Sequence, residues 1–319
     1  MTNLAKQDKL FHIGIDVAKA KLDIHCLETN ENWQIENSKK GLMKFAGKHH
    51  KMLLESYVTI DTTGGHEHLC CELLHEKGYT VHQAHSYRVK NFIRSMGCEA
   101  KTDRLDAIML ASYGKERKEK LRVYAPASKN QQVLKSLVMR REELVKMQTQ
   151  EKNRQAGPMA SEMKKSFEAV LKTLEKEIGK IEKRIKSCIK KDEMMRAKEQ
   201  ILLAIKGIGE KTSFSLLALL PELGELDRKQ VAALAGLAPY ANDSGNYNGY
   251  RSVRGGRPAL RRALFMAALS AVRYNDDLKE FYQRLRNHGK KAIVALTATA
   301  RKLATIANAR IRDMDVNSN

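Results

Sequence analysis

Residues 10–27 read LFHIGIDVAKAKLDIHCL, and the reading of this stretch decides the fold of the first third of the chain. Two strand-like runs, Phe11–Val17 and Lys21–Leu27, are separated by a tight connection. A third run, Asn32–Asn37, follows a polar turn at Thr29–Asn32. Next comes a helix-like stretch to about Leu54, then a β-branched run, Tyr57–Ile60, ending on Asp61. The helix-like His66–Glu76, the strand-like Tyr79–Gln83 and further helical segments follow. Three strands, then helix, strand, helix, strand, helix predict a mixed sheet covered by helices.

That order is similar to a ribonuclease-H-like domain, placed at residues 1–125. After Pro126 the character changes to long helices. Phe167, Leu171, Leu174, Ile178, Ile181, Ile185 and Cys188 are spaced alternately by four and three, a heptad seam with Lys and Glu on the other faces. Leu134, Leu137, Arg141, Leu144 and Gln148 carry a weaker version, and Gly157–Pro158 breaks the two apart. An antiparallel helical hairpin over 126–195 is the economical reading, with an oligomerising coiled coil as the alternative. Residues 196–319 read as compact and mostly helical. The fold class is therefore α/β plus all-α.

The chain has 319 residues, 42% of them hydrophobic, enough for separate buried cores. No apolar run approaches the ~18 residues of a membrane span, and Lys6, Asp8 and Lys9 interrupt the only stretch resembling a secretory signal. A cytoplasmic location is expected. With 58 Lys+Arg against 37 Asp+Glu the net charge is +21 and the pI about 9.7. Such an excess points to a polyanion, nucleic acid before an anionic membrane surface, because no segment sets aromatic residues opposite a basic face. Cys26, Cys70, Cys71, Cys98 and Cys188 form no CxxC pair and no zinc spacing with histidine, so they read as reduced and mostly buried.

Four carboxylates have suggestive positions. Asp16 ends the first strand and Asp61 a later one, where side chains point out at the carboxyl end of a sheet. Asp103 and Asp106 lie in KTDRLD, read as the start of a helix, and three residues apart they share one helix face. Hard divalent cations want clustered oxygen ligands, and two-metal phosphoryl transfer needs three or four converging carboxylates. A strand-end Asp is also an ordinary turn former, and an Asp in a first helical turn complements the dipole.

Residues 234–262 read LAGLAPYANDSGNYNGYRSVRGGRPALRR. Arg251, Arg254, Arg257, Arg261 and Arg262 would make a phosphate-binding surface if brought to one side. Ser244, beside glycine in a polar loop, has the reach of a nucleophile, though Asp-Ser-Gly is also a common turn. Gly207 and Gly209, in a turn before the helix Lys211–Leu220, would let backbone N–H groups meet a phosphate, as in helix-hairpin-helix modules. A plain connection between helices reads equally well.

The segments GIDVAK (14–19), KTDRLDA (101–107), KGIGEKTSFSLLALLPELGEL (206–226) and AGLAPYANDSG…RGGRPALRRALFMAA (235–268) resemble the IS-110 (insertion sequence one-ten) family of transposases and its relatives, the Piv-type DNA invertases. The match runs through nearly the whole chain in the right order.

The resemblance implies a RuvC-like N-terminal domain with a DEDD set of acids and a C-terminal transposase domain whose serine attacks DNA. Carried over by motif, Asp16 is the first acid, Asp103 and Asp106 the last two, and Ser244 the nucleophile. The second acid falls in IDTTGG (60–65), where the family usually has Glu and this chain has Asp61; Glu67 is a fallback ligand. Mg2+ or Mn2+, donor and target DNA, a structured bridge RNA and a homo-oligomer from dimer to tetramer are the implied partners, with the acidic site of one subunit facing the serine of another. The implied reaction is strand cleavage and rejoining through a phosphoserine. Alternatives are a nuclease or resolvase using water, a binding protein without chemistry, and a DNA invertase with the same chemistry.

Overall fold

In a computed structural model of the chain, the residues described are 10–62, 64–97, 102–157, 161–241, 243, 249 and 251–316, with the side chains of 103, 315 and 316 left aside. They form two compact units, 1–126 and 127–319.

The first unit is built on β1 (Phe11–Val17), β2 (Lys21–Cys26), β3 (Asn32–Glu36), β4 (Ser56–Asp61) and β5 (Thr80–Ala84). The sheet order is β3-β2-β1-β4-β5. β1 runs antiparallel to β2 and parallel to β4, and β4 is parallel to β5, so the sheet is mixed as the sequence predicts. The central strand alternates between two covered faces. Ile13, Ile15 and Val17 join Val58, Ile60 and residues of α1 (Lys39–Lys48) and α3 (His68–Glu76) in one core. The other face carries α5 (Asp103–Arg117), preceded by α4 (Ser86–Ser95). Along β1 the apolar Phe11, Ile13, Ile15 and Val17 accordingly alternate with His12, Gly14 and Asp16.

The helix expected up to Leu54 is broken. α1 stops at Lys48 and α2 (His50–Leu54) restarts after His49, whose φ of −110° and ψ of 23° leave the helical region. His49 packs on Trp33 and Phe45, with ring centroids 4.8 and 4.7 Å away. This aromatic contact is not visible in local periodicity.

The second unit opens with α6 (Lys129–Gln155) and α7 (Lys164–Lys190), packed against each other as the expected hairpin. Leu134, Leu137 and Val138 face Ile185, Cys188 and Ile189 in a core shared with the following helices. Arg141, in the weaker seam, is buried, and its Nε donates to Glu182 at 2.7 Å. A charged group thus replaces an apolar knob at that level. α8 (Glu193–Leu203), α9 (Glu210–Leu219), α10 (Arg228–Leu234), α11 (Pro258–Tyr274), α12 (Asp276–Asn287) and α13 (Ala292–Val316) complete the unit. The loop expected over 239–257 contains a small antiparallel pair, β6 (Pro239–Tyr240) with β7 (Ser252–Val253). Among the described residues no helix is long and apolar enough to cross a membrane.

Candidate acidic centre and serine hairpin

Two close approaches place α5 on the sheet. Gly14 of β1 lies against the backbone of Ala107 and Ala111, and Gly114 of the helix lies against the Thr59 side chain of β4. Gly14 and Thr59 are themselves register partners. Further along, Lys115 Nζ meets Glu28 Oε1 at 3.1 Å, and the same carboxylate accepts from the His12 amide. The C-terminal end of α5 therefore lies beside the start of β1. Its N-terminal turn points toward the end of β1, where Asp16 stands.

Asp16 is two residues beyond Gly14 and so shares the face that α5 covers. Asp61 stands in the same relation to Thr59. The last β1–β4 register pair is Ile15 with Ile60, and one step further sets Asp16 beside Asp61. Both are partly exposed. α5 begins at Asp103, capped by Thr102 Oγ1, which accepts from the Leu105 amide; the Asp106 amide donates to the Thr102 carbonyl. Asp106 thus sits in the turn directed at the strand ends. The Asp103 side chain is outside the described residues.

The surroundings of Asp61 are polar and partly closed. Burial pushes its carboxyl above the ordinary range, and the nearby Glu67 carboxylate adds to this. The Ser86 hydroxyl, the Thr62 amide and Lys90 pull the other way. Glu67 is only 4% exposed. Its oxygens accept from the Gly65 amide at 2.9 Å and from Gln83 Nε2 at 3.1 Å. The fallback ligand is therefore tied into the same corner of the sheet.

In the second unit, Gly207 adopts a φ of +109°, and a Cβ there would meet the Ala271 Cβ at 2.5 Å. This glycine lets the α8–α9 turn lie against α11. Gly209 is the N-cap of α9, with open space at its Cβ position. The β6–β7 pair brackets residues 241–251 in the sequence. Its base is closed by backbone: Gly236 and Gly256 both have positive φ, and a Cβ on Gly256 would stand 2.2 Å from the Gly236 nitrogen. Ser244 lies outside the described residues.

Four of the five arginines make described contacts within their own unit. Arg257 grips Glu222 with both terminal nitrogens, at 2.9 and 2.7 Å. Arg261 Nη2 donates to the Gly255 carbonyl at 2.5 Å. Arg254 stacks over Tyr240, 5.2 Å from the ring centroid, and Arg262 lies 3.9 Å from Glu142. Arg251, Arg254 and Arg262 are exposed.

The DEDD transposase model of the IS110 type matches residues 13–160, and the transposase model of the IS116/IS110/IS902 family matches residues 199–283. The chain belongs to the IS110 family of transposases. It is an enzyme of DNA recombination. The chain is 29% identical to the pilin gene-inverting protein of Moraxella lacunata over 312 residues, 94% of this chain and 95% of the relative. The pilin gene-inverting protein of Moraxella bovis matches to the same extent. A protein of insertion element IS110 from Streptomyces coelicolor is 30% identical over 115 residues, 35% of this chain and 28% of that one.

For the transposase, the fit to a divalent cation rests on the donor set. Asp16 and Asp61 offer hard oxygen ligands side by side, and α5 directs Asp106 to the same end of the sheet. Among the described residues no three His, Cys, Asp or Glu side chains converge on a single point. One further donor was missed by sequence reading. Asn37, just after β3, donates from Nδ2 to the carbonyls of Ala18 at 2.9 Å and His66 at 3.2 Å. Its Oδ1 is buried without a protein partner. It ties together the segments that follow the two acid-bearing strands. An asparagine one residue past a strand carries no local signal of that role.

Proposed function

We propose that the transposase cuts and rejoins DNA at the acidic centre of its N-terminal unit, with Ser244 as the nucleophile. The observation that carries this reading is the pair Asp16 and Asp61 at the carboxyl ends of adjacent parallel strands, with the first turn of α5 directed toward them. The sheet order β3-β2-β1-β4-β5 supports a ribonuclease-H-like, RuvC-like domain. Asp16, Asp61, Asp103 and Asp106 would hold Mg2+ or Mn2+, which neutralises charge on a phosphate.

Ser244 Oγ attacks the scissile phosphorus, the bond to one DNA oxygen breaks, and that oxygen leaves as a hydroxyl after gaining a proton. A DNA hydroxyl then attacks the phosphoserine and Ser244 Oγ departs. One phosphoester replaces another at each step, so ATP is not needed. The closed glycine base of the β6–β7 hairpin supports this role by fixing where the serine loop starts and ends. The net charge of +21 leaves room for a bridge RNA that selects DNA by pairing, as in other RNA-guided systems. Assembly into dimers or tetramers and action in the cytoplasm belong to the same reading.

The test is the covalent protein–DNA adduct. Wild type accumulates it with divalent cation, Ser244→Ala does not, and Asp16→Asn loses strand cleavage altogether. Adducts persisting in Ser244→Ala overturn the serine assignment. A second outcome of the same chemistry, site-specific inversion, is favoured by the full-length similarity to gene-inverting proteins. Sequencing the rejoined junctions separates inversion from transposition.

A further inference from the structure

Helix α4 starts at the acidic centre. Ser86, its first residue, lies 2.9 Å from Thr62 Oγ1 through Oγ and donates to the Thr62 carbonyl at 2.8 Å. Thr62 follows Asp61 directly, so α4 is fixed to the strand end that carries that acid. Val89 and Phe92 bury the inner side of the helix, with Phe92 edge-on to Tyr113 of α5 at 5.4 Å.

The outer side is cationic. The helix reads SYRVKNFIRS, with three cations and no acid. Tyr87, Lys90, Asn91 and Arg94 follow the i, i+3, i+4, i+7 spacing of one helix face, Arg88 flanks them, and all five are exposed. Tyr87 is 69% exposed, so its ring contributes little to the core. Among the described residues, no ion pair engages Arg88, Lys90 or Arg94. A basic row without ion pairs among the described residues, with Lys90 in electrostatic reach of Asp61 and an exposed aromatic ring beside it, is built for a polyanion with a π-face.

We infer that this face of α4 holds a single DNA strand and leads it to Asp16 and Asp61, with Arg88, Lys90 and Arg94 on its phosphates and Tyr87 stacked on an unpaired base. The identity of the strand rests on the DNA-recombination reading above; the path rests on the helix itself. Cations along a groove with a ring for each unstacked base are the chemistry of single-strand binding. A ten-residue helix is about 15 Å long, the reach of a few nucleotides. A duplex would leave Tyr87 without a base face.

The test uses the full-length protein and a short single-stranded DNA carrying 5-iodouracil. Ultraviolet cross-linking followed by peptide mapping is expected to place the adduct within residues 86–96. Tyr87→Ala lowers the yield at least tenfold, while Tyr87→Phe, which keeps the ring, restores it. Arg88→Glu, Lys90→Glu and Arg94→Glu together reduce the slope of log affinity against log salt by about 2, at ~0.7 per single-strand phosphate contact, with the thermal midpoint unchanged. Cross-links confined to other segments, an unchanged slope, or stronger competition by RNA or duplex DNA of the same length overturn the assignment. Asp16→Asn separates the two readings. It abolishes metal-dependent cleavage and keeps the cross-link if both hold. Cleavage surviving in Asp16→Asn sinks the acidic centre, and the cross-link alone then decides the strand path.

Discussion

Gly14 of β1 lies so close to Ala107 of α5 that a Cβ at position 14 would stand 2.0 Å from the Ala107 carbonyl oxygen. That contact sets the height of α5 above the sheet and hence the distance from Asp106 to Asp16. Gly14→Ala must push helix backbone away from strand backbone, since neither atom belongs to a flexible side chain. We expect a loss of about 1–3 kcal/mol, the usual cost of overpacking, read as a lower urea midpoint. DNA cleavage measured where the variant is still folded falls as well. Gly47→Ala, in the last turn of α1 with nothing near its Cβ position, is the control. It is expected to be neutral or to gain up to about 0.5 kcal/mol.

Asn37 acts on the same centre from the other side. Asn37→Asp has nearly the same shape but cannot donate to the Ala18 and His66 carbonyls, so it loses both bonds. The expected result is a stability loss of about 1–3 kcal/mol and a rise in the divalent concentration needed for half-maximal cleavage. A variant with wild-type metal dependence removes Asn37 from the positioning of the strand ends.

Glu28 gives a pH signature. Burial on its own would raise its pKa; the His12 amide, the His12 imidazole and Lys115 outweigh it and hold the carboxyl below its ordinary value. A depressed folded-state pKa means stability that is present above the unfolded value and lost as pH falls through the folded one. Glu28→Gln should be less stable than wild type by about 1 kcal/mol at pH 7. The two denaturation midpoints should converge as pH drops below the usual glutamate range. A gap that stays constant into acid shows that the carboxylate charge is not what ties α5 to the sheet.

The fold was legible wherever a periodic signal had one cause. β1 keeps the predicted bounds Phe11–Val17 because its apolar residues alternate onto one core, and the α7 seam follows a heptad that packs chiefly on α6. The acids were legible as strand-end and helix-start positions, because such places need no long-range information. What stayed hidden depends on contacts between distant segments. Arg257 reads as one more arginine in a basic string, and its pairing with Glu222, 35 positions earlier, leaves no local signal. The cationic face of α4 was present in SYRVKNFIRS all along. Without the sheet to show that Ser86 begins beside Thr62, it passed among the further helical segments after Gln83.

That arginine supplies the last prediction. If Arg257 serves the base of the serine hairpin, its removal should cost stability rather than charge at the nucleic acid. Arg257→Gln is expected to lose about 1 kcal/mol, since the pair is only half-buried and partly screened. A double-mutant cycle with Glu222→Gln should return most of that as coupling. Its salt slope for duplex DNA should match wild type. Arg254→Gln, with an exposed guanidinium, should do the reverse: nearly unchanged stability and a slope lower by ~0.9 if it meets one phosphate. Neither measurement substitutes for the other, because a loosened hairpin also weakens binding. An Arg257→Gln protein with a reduced slope and an unchanged denaturation midpoint would return this residue to the DNA contacts that its sequence context suggests.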